Sequence, residues 1–175
     1  YVCTDDDNLY KKMIKFRNTS ESSNSLNCSI DSRPNDIHAI LTLASLKELD
    51  QNISHSKKIY IKYKSLLSNI SNVRLLEFDA NEQTSYKNIV IELLNSSLIS
   101  RETLVSILNK ENILARAHYS PPLHMKDHEY KTITADMTNT EFAATRYINL
   151  PCGSRINELD VERVCSLIKG FINND

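Results

Sequence analysis

Glycine is nearly missing, with two residues in a chain of 175. Walker and Rossmann loops need several glycines to bring backbone N–H groups against a phosphate, so neither can be built within this segment. No apolar run is long enough to cross a bilayer, and no signal peptide is visible. Neither charge dominates: 21 basic residues face 22 acidic ones, with no block of either sign. Nucleic acid and anionic membrane surfaces both call for a basic face, so neither is expected as a partner. The four cysteines, Cys3, Cys28, Cys152 and Cys165, are scattered without a C-x-x-C pair. That spacing suggests neither zinc nor a secreted disulfide framework, and reduced thiols in a cytoplasmic protein are the simplest reading.

What is present is alternating strand and helix signals. Tyr1 to Thr4 reads as a short strand in mid-flow, and with no initial Met the chain is expected to be a piece of a longer protein. Asp5 to Asp7 supply an N-cap and acidic first-turn residues for a helix carrying Leu9, Met13, Ile14 and Phe16. A Ser/Asn-rich loop follows. From Pro34, apolar residues recur at helical steps: Ile37, Ile40, Ala44, Leu49, Ile53, Tyr60, Tyr63, Leu67 and Ile70. This is one long helix or two in line, roughly 50 Å end to end, with a bend possible at His55 to Lys58. A rod of that length suits a link between two lobes.

Residues 73–78 and 86–93 are strand-like. Ser100 is the expected N-cap of a helix burying Leu104, Ile107 and Leu108. Residues 113–119 alternate, with Ile113, Ala115, Ala117 and Tyr119 on one face. A short helix over 138–148, a strand and turn at "NLPCG", and a closing helix with Leu159, Val164, Ile168 and Phe171 inward complete the chain. Local β-α-β connections predict helices on one face of a small sheet, an α/β sandwich.

The stretch "LARAHYSPPLHMKDHEY" concentrates His118, His124, His128, Tyr119 and Tyr130 around Pro121 and Pro122. The histidine spacings of six and four straddle the proline pair, so no regular element aligns them on a metal, and no metal site is expected. The plain alternative is a solvated loop. Cys152, after Pro151, reads as a small buried residue rather than a nucleophile.

The order of the pieces resembles a family. "YVCTDDDNLYKKMIKFRN" is similar to the strand and helix "vvTdd-x-x-l…lR-n" of the DegT/DnrJ/StrS-type PLP-dependent sugar-nucleotide aminotransferases. "SIDSRPNDIHAILTLASLKELD" resembles their G-x-N-x-R segment and following helix. "ILARAHYSPPLH" resembles their strand and "hY-x-plH" loop, and "INLPCGSRINELDVERVCSLIKGFI" their final strand and helix. The matches run in the family's order over nearly the whole chain.

The resemblance implies an α/β fold, the C-terminal portion of a type I PLP-dependent transferase. Residues 1–32 would be the tail of the large PLP-binding domain, 33–72 the long linking helix, and 73–175 a small C-terminal α/β sandwich with a short, mostly antiparallel sheet. It implies transfer of an amino group, from glutamate, to a nucleotide-linked keto sugar by a homodimer in polysaccharide biosynthesis.

The family's catalytic lysine lies upstream of Tyr1, so no catalytic residue is expected in this chain, and the chain alone should neither transaminate nor hold pyridoxal 5'-phosphate. An inert truncated remnant and the binding half of a split enzyme remain as alternatives. Asp31 stands at the family's cofactor-binding Asn, where a carboxylate would meet the phosphate at a cost on the order of a kcal/mol or more. Ser29 replaces the motif's Gly. Either the register differs or phosphate is bound less well. Arg33 matches the arginine that serves the partner subunit's substrate. His118, Tyr119 and His124 match the loop over the sugar nucleotide, where their flat bodies and hydrogen-bonding tips fit the task.

Overall fold

The computed structural model describes residues 2–17, 34–94, 99–117, 119–127, 129 and 135–172. The chain divides into two compact units, Tyr1–Glu48 and Leu49–Asp175.

The first unit carries helices α1 (Asp7–Arg17) and α2 (Asp36–Lys47). Residues 2–4 form no strand; instead the Thr4 hydroxyl accepts from the Asp6 N–H. A strand needs a neighbour to satisfy its backbone groups, and no described residue supplies one. Asp6 caps α1, its carboxylate accepting from the N–H groups of Asn8 and Leu9 at 2.7 and 3.1 Å. Asn35 does the same for α2 through His38 N–H at 2.9 Å. Neither helix buries a residue: Ile37, Ile40, Leu41, Leu43 and Leu46 of α2 are all more than half exposed.

The apolar rod expected from Pro34 onward is thus two helices, α2 and α3 (Leu49–Leu67), interrupted at Glu48. His55 to Lys58 do not bend it. They lie within unbroken α3, where the His55 ring sits 2.9 Å from the Ile156 carbonyl and Ser56 is buried. Half-buried Lys62 and exposed Lys64 are both paired, with Glu162 at 2.5 Å and Glu77 at 2.6 Å. These carboxylates hold both ammonium groups above their ordinary pKa.

The second unit continues with β1 (Val73–Leu75), β2 (Ile89–Leu93), α4 (Arg101–Lys110), β3 (Arg116–Ala117), a 3₁₀ turn (Leu123–Met125), α5 (Thr138–Arg146), β4 (Tyr147–Leu150) and α6 (Glu158–Ile172). The strands form a four-stranded sheet in the order β1-β2-β4-β3, antiparallel at every pairing. Register follows from the period of two: Val73 opposes Leu93, and Ile91 opposes both Leu75 and Ile148. This apolar face packs with Ile59, Tyr63 and Leu67 of α3, Leu104 and Leu108 of α4, and Val161, Val164 and Ile168 of α6. The opposite face carries Arg74, which donates to the carboxylate of buried Glu92 directly across the ladder. Tyr60, Phe78 and Tyr86 close one end as a triangle of rings 5.1–5.3 Å apart, favourable edge and tilted contacts.

Ser100 caps α4 as expected, accepting from Thr103 N–H. Two residues expected to point inward on α6 do not. Leu159 is 73% exposed and Phe171 40%, while Cys165 and Ile172 are buried. On a 3.6-residue helix, Val161, Val164, Cys165, Ile168 and Ile172 define the stripe; Leu159 falls on its far side and Phe171 at its margin. The helix expected over 138–148 stops at Arg146, because Tyr147 and Ile148 are taken by the ladder to β2. Cys152 is half-buried, its thiol donating to the Tyr86 carbonyl at 3.2 Å, and burial raises its pKa.

Candidate functional site

A cavity of about 560 Å³ opens between the loop after β3 and helix α5, within the range of small-molecule sites. Tyr119, Pro122, Leu123 and His124 form one wall; Met137, Asn139, Thr140, Ala143 and Ala144 form the other; Tyr147 closes it from β4.

Each wall has a local cause. Pro121 and Pro122 lack N–H groups and cannot continue β3 as a paired strand. The chain turns at Tyr119, whose φ is +51, passes the cis Ser120–Pro121 bond, and enters the 3₁₀ turn, where Met125 N–H reaches the Pro122 carbonyl at 3.0 Å. On the other side, the Asp136 carboxylate accepts from the Thr138 N–H and hydroxyl at 3.0 and 2.6 Å, tying down the entry to α5. These bonds hold the Asp136 carboxyl below its ordinary pKa. Glu141 then falls in the first turn of α5, where the helix dipole favours an acid. It faces the loop: His124 Nε2 lies 3.0 Å from Glu141 Oε1. The His124 side chain is largely covered, and Glu141 is about half exposed.

The arrangement offers an apolar slot with polar groups at its edge. Met137, Ala143, Ala144, Leu123 and Pro122 suit a flat or aliphatic body, while Tyr119, Tyr147, Asn139, Thr140 and the His124 ring can hydrogen-bond its substituents. Tyr119 and His124, singled out in the sequence, stand on this one pocket. Asp31, Arg33, His118 and His128 lie outside the described residues. Among the described residues, no cluster of three His, Cys, Asp or Glu side chains could hold a metal ion. No helix among them is long and apolar enough to cross a membrane. Glu141 and Tyr147 escaped sequence reasoning. Glu141 is one acid in a short helix, and its meaning comes from a histidine 17 residues away.

The sequence profile of the DegT/DnrJ/EryC1/StrS aminotransferase family matches residues 1–169, and the chain belongs to that family of PLP-dependent aminotransferases. It is 26% identical over 144 residues to the dTDP-4-amino-4,6-dideoxy-D-glucose transaminase of Escherichia coli, covering 81% of this chain and 39% of that protein. It is 24% identical over 147 residues to the UDP-4-amino-4-deoxy-L-arabinose–oxoglutarate aminotransferase of Shewanella sediminis (strain HAW-EB3), covering 79% and 38%. The fold matches that of Helicobacter pylori PseC, an aminotransferase involved in the biosynthesis of pseudoaminic acid. There the TM-score is 0.83 at 20% identity, covering 98% of this chain and 48% of that one. The chain thus spans about two fifths of the length of the curated relatives it matches.

The pocket does not fit the family's cofactor. Among the described residues, its lining carries no lysine to form a Schiff base, no arginine or lysine to meet a phosphate, and no carboxylate to pair with a pyridine nitrogen. What its residues can do is bind, orient and hold a proton at His124 Nε2 against Glu141.

Proposed function

We propose that this chain forms the substrate-binding, C-terminal part of an aminotransferase that moves an amino group, with glutamate as donor, onto a nucleotide-linked keto sugar. The observation that carries the reading is the pocket shared by Tyr119 and His124, an apolar slot with hydrogen-bonding edges in a chain of this family. The relatives' names, with their dTDP- and UDP-linked sugars, support a sugar linked to a nucleoside diphosphate as the ligand. The same reading assigns residues 1–32 to the tail of a large domain, 33–72 to the link and 73–175 to the small domain. It gives PLP to the intact enzyme and no catalytic residue to this chain.

The exposed apolar residues of α2 support burial of that helix in the intact homodimer, because so many large aliphatic groups in water cost more than scattered ones. Arg33 and Asp31 would serve the neighbouring subunit's substrate and cofactor phosphate. His118 would join Tyr119 and His124 over the nucleotide sugar.

Calorimetric titration of the chain with thymidine or uridine diphosphate glucose tests the reading. Saturable binding that weakens about tenfold in His124→Ala is expected, the scale of one charge-assisted hydrogen bond. Equal heats from the altered and unaltered chains, or no binding at all, sink it. The chain mixed with PLP, glutamate and a nucleotide-linked keto sugar is expected to give no turnover.

A further inference from the structure

Arg101 is the first residue of α4. A cation there runs against the helix dipole, which favours acids in the first turn, so local forces do not explain it. The residue is nonetheless buried, at 4% exposure. A guanidinium withdrawn from water is tolerated where its N–H groups find acceptors. Here they do. One terminal nitrogen donates to the Ala144 carbonyl. The other donates to the Ser120 hydroxyl at 3.0 Å and to Glu102, which Nε also reaches at 3.1 Å.

Two of these acceptors belong to opposite walls of the pocket. Ala144 lines the α5 side, and Ser120 follows Tyr119 on the loop side. Tyr119 holds a left-handed backbone, at φ +51, which disfavours a residue bearing a side chain and persists where its surroundings impose it. The planar guanidinium suits such a bridge because its donors diverge in fixed directions; an ammonium is a point charge on a flexible stem.

We propose that Arg101 is a positioning residue for this pocket. By bonding Ser120 and Ala144 at once, it sets the spacing of the two walls and holds Tyr119 in the conformation that meets the ligand, without lining the pocket itself. The effect on ligand affinity rests on the reading of the pocket as the nucleotide-sugar site. The effect on pocket geometry does not.

The test compares the full chain with Arg101→Lys and Ser120→Ala by hydrogen–deuterium exchange and by titration with thymidine diphosphate glucose. In Arg101→Lys, exchange is expected to rise about tenfold in peptides covering 119–127 and 141–147, and to stay level in α3 and α6. Affinity is expected to fall about tenfold, the scale of one to two hydrogen bonds to a charged group. Ser120→Ala should loosen 119–127 and leave 141–147 as it was. This second variant decides the matter if Arg101→Lys does not fold, since Ser120 is exposed. A uniform rise in exchange would show a merely structural arginine and overturn the proposal. So would unchanged exchange at both walls. If the unaltered chain binds no nucleotide sugar, the substrate reading fails while the exchange comparison still decides the role of Arg101.

Discussion

The His124 imidazole reaches Glu141 at 3.0 Å and so ties the loop wall of the pocket to the first turn of α5. A Glu141 carboxylate can only accept, so the contact orients the ring and places a proton on Nε2. Glu141→Gln is expected to weaken binding of a diphosphate hexose about three- to tenfold, with a stability change under about 1 kcal/mol, as for other exposed pairs. Titration calorimetry and thermal melting, run side by side, check both halves. A large drop in melting temperature with unaltered binding would make the contact structural only.

Cys165 faces the core on α6, and burial pushes its thiol up to about 12 despite the opposing effect of Lys62. At pH 8 such a thiol is thiolate in about one molecule in ten thousand, and the thiolate is the reactive form. Iodoacetamide at pH 8 is therefore expected to label exposed Cys3 and to spare Cys165 until the chain is unfolded in urea. Peptide mass spectra read the order, and early labelling of Cys165 would place it outside the core.

Two carboxylates set part of the acid limb of stability. Glu102 is held below its ordinary pKa first by the bond from Arg101, and Asp136 by its bonds from Thr138. A carboxyl depressed in the folded state stabilises fully above its unfolded value and loses that contribution as pH falls through its folded value. Melting temperature should therefore drop as pH is lowered from about 5 to below 3, the range spanning ordinary and depressed carboxylates. Glu102→Gln and Asp136→Asn should each flatten that slope, most visibly in a pH series of thermal melts. Both groups are largely exposed, so raising the salt should shrink the difference.

Ile148 is fully buried at the middle of the sheet, paired with Ile91 on one side and Ala117 on the other. Ile148→Ala leaves a cavity that two ladders prevent from collapsing, and is expected to cost about 3 kcal/mol. The urea midpoint should fall by about 1–2 M with the slope unchanged. A loss under about 1 kcal/mol would mean that the neighbouring strands relax into the space.

Much of this protein is decided within short windows of sequence. Ser100 before an apolar helix is a cap wherever the chain folds, and it caps α4. The alternation at Ile113 and Ala115 against Leu114 settles which side meets the core, as does the spacing of Val164 and Ile168 on α6. The ordered motifs settle the family, because they reflect chemistry shared with longer relatives. Other features needed the tertiary structure. Apolar periodicity runs through Glu48 without a sign of the break, and it cannot tell buried Tyr63 from exposed Ile40, since burial depends on a second surface being present. Leu159 is apolar and helical, yet faces water because the stripe of its own helix lies on the other side. The pocket was decided last of all. Arg101 finds Ala144 across 43 residues and Ser120 across 19. A hydrogen bond between residues so distant in sequence has no local signature, because only the packing of α4, α5 and the loop against the sheet brings donor and acceptor together.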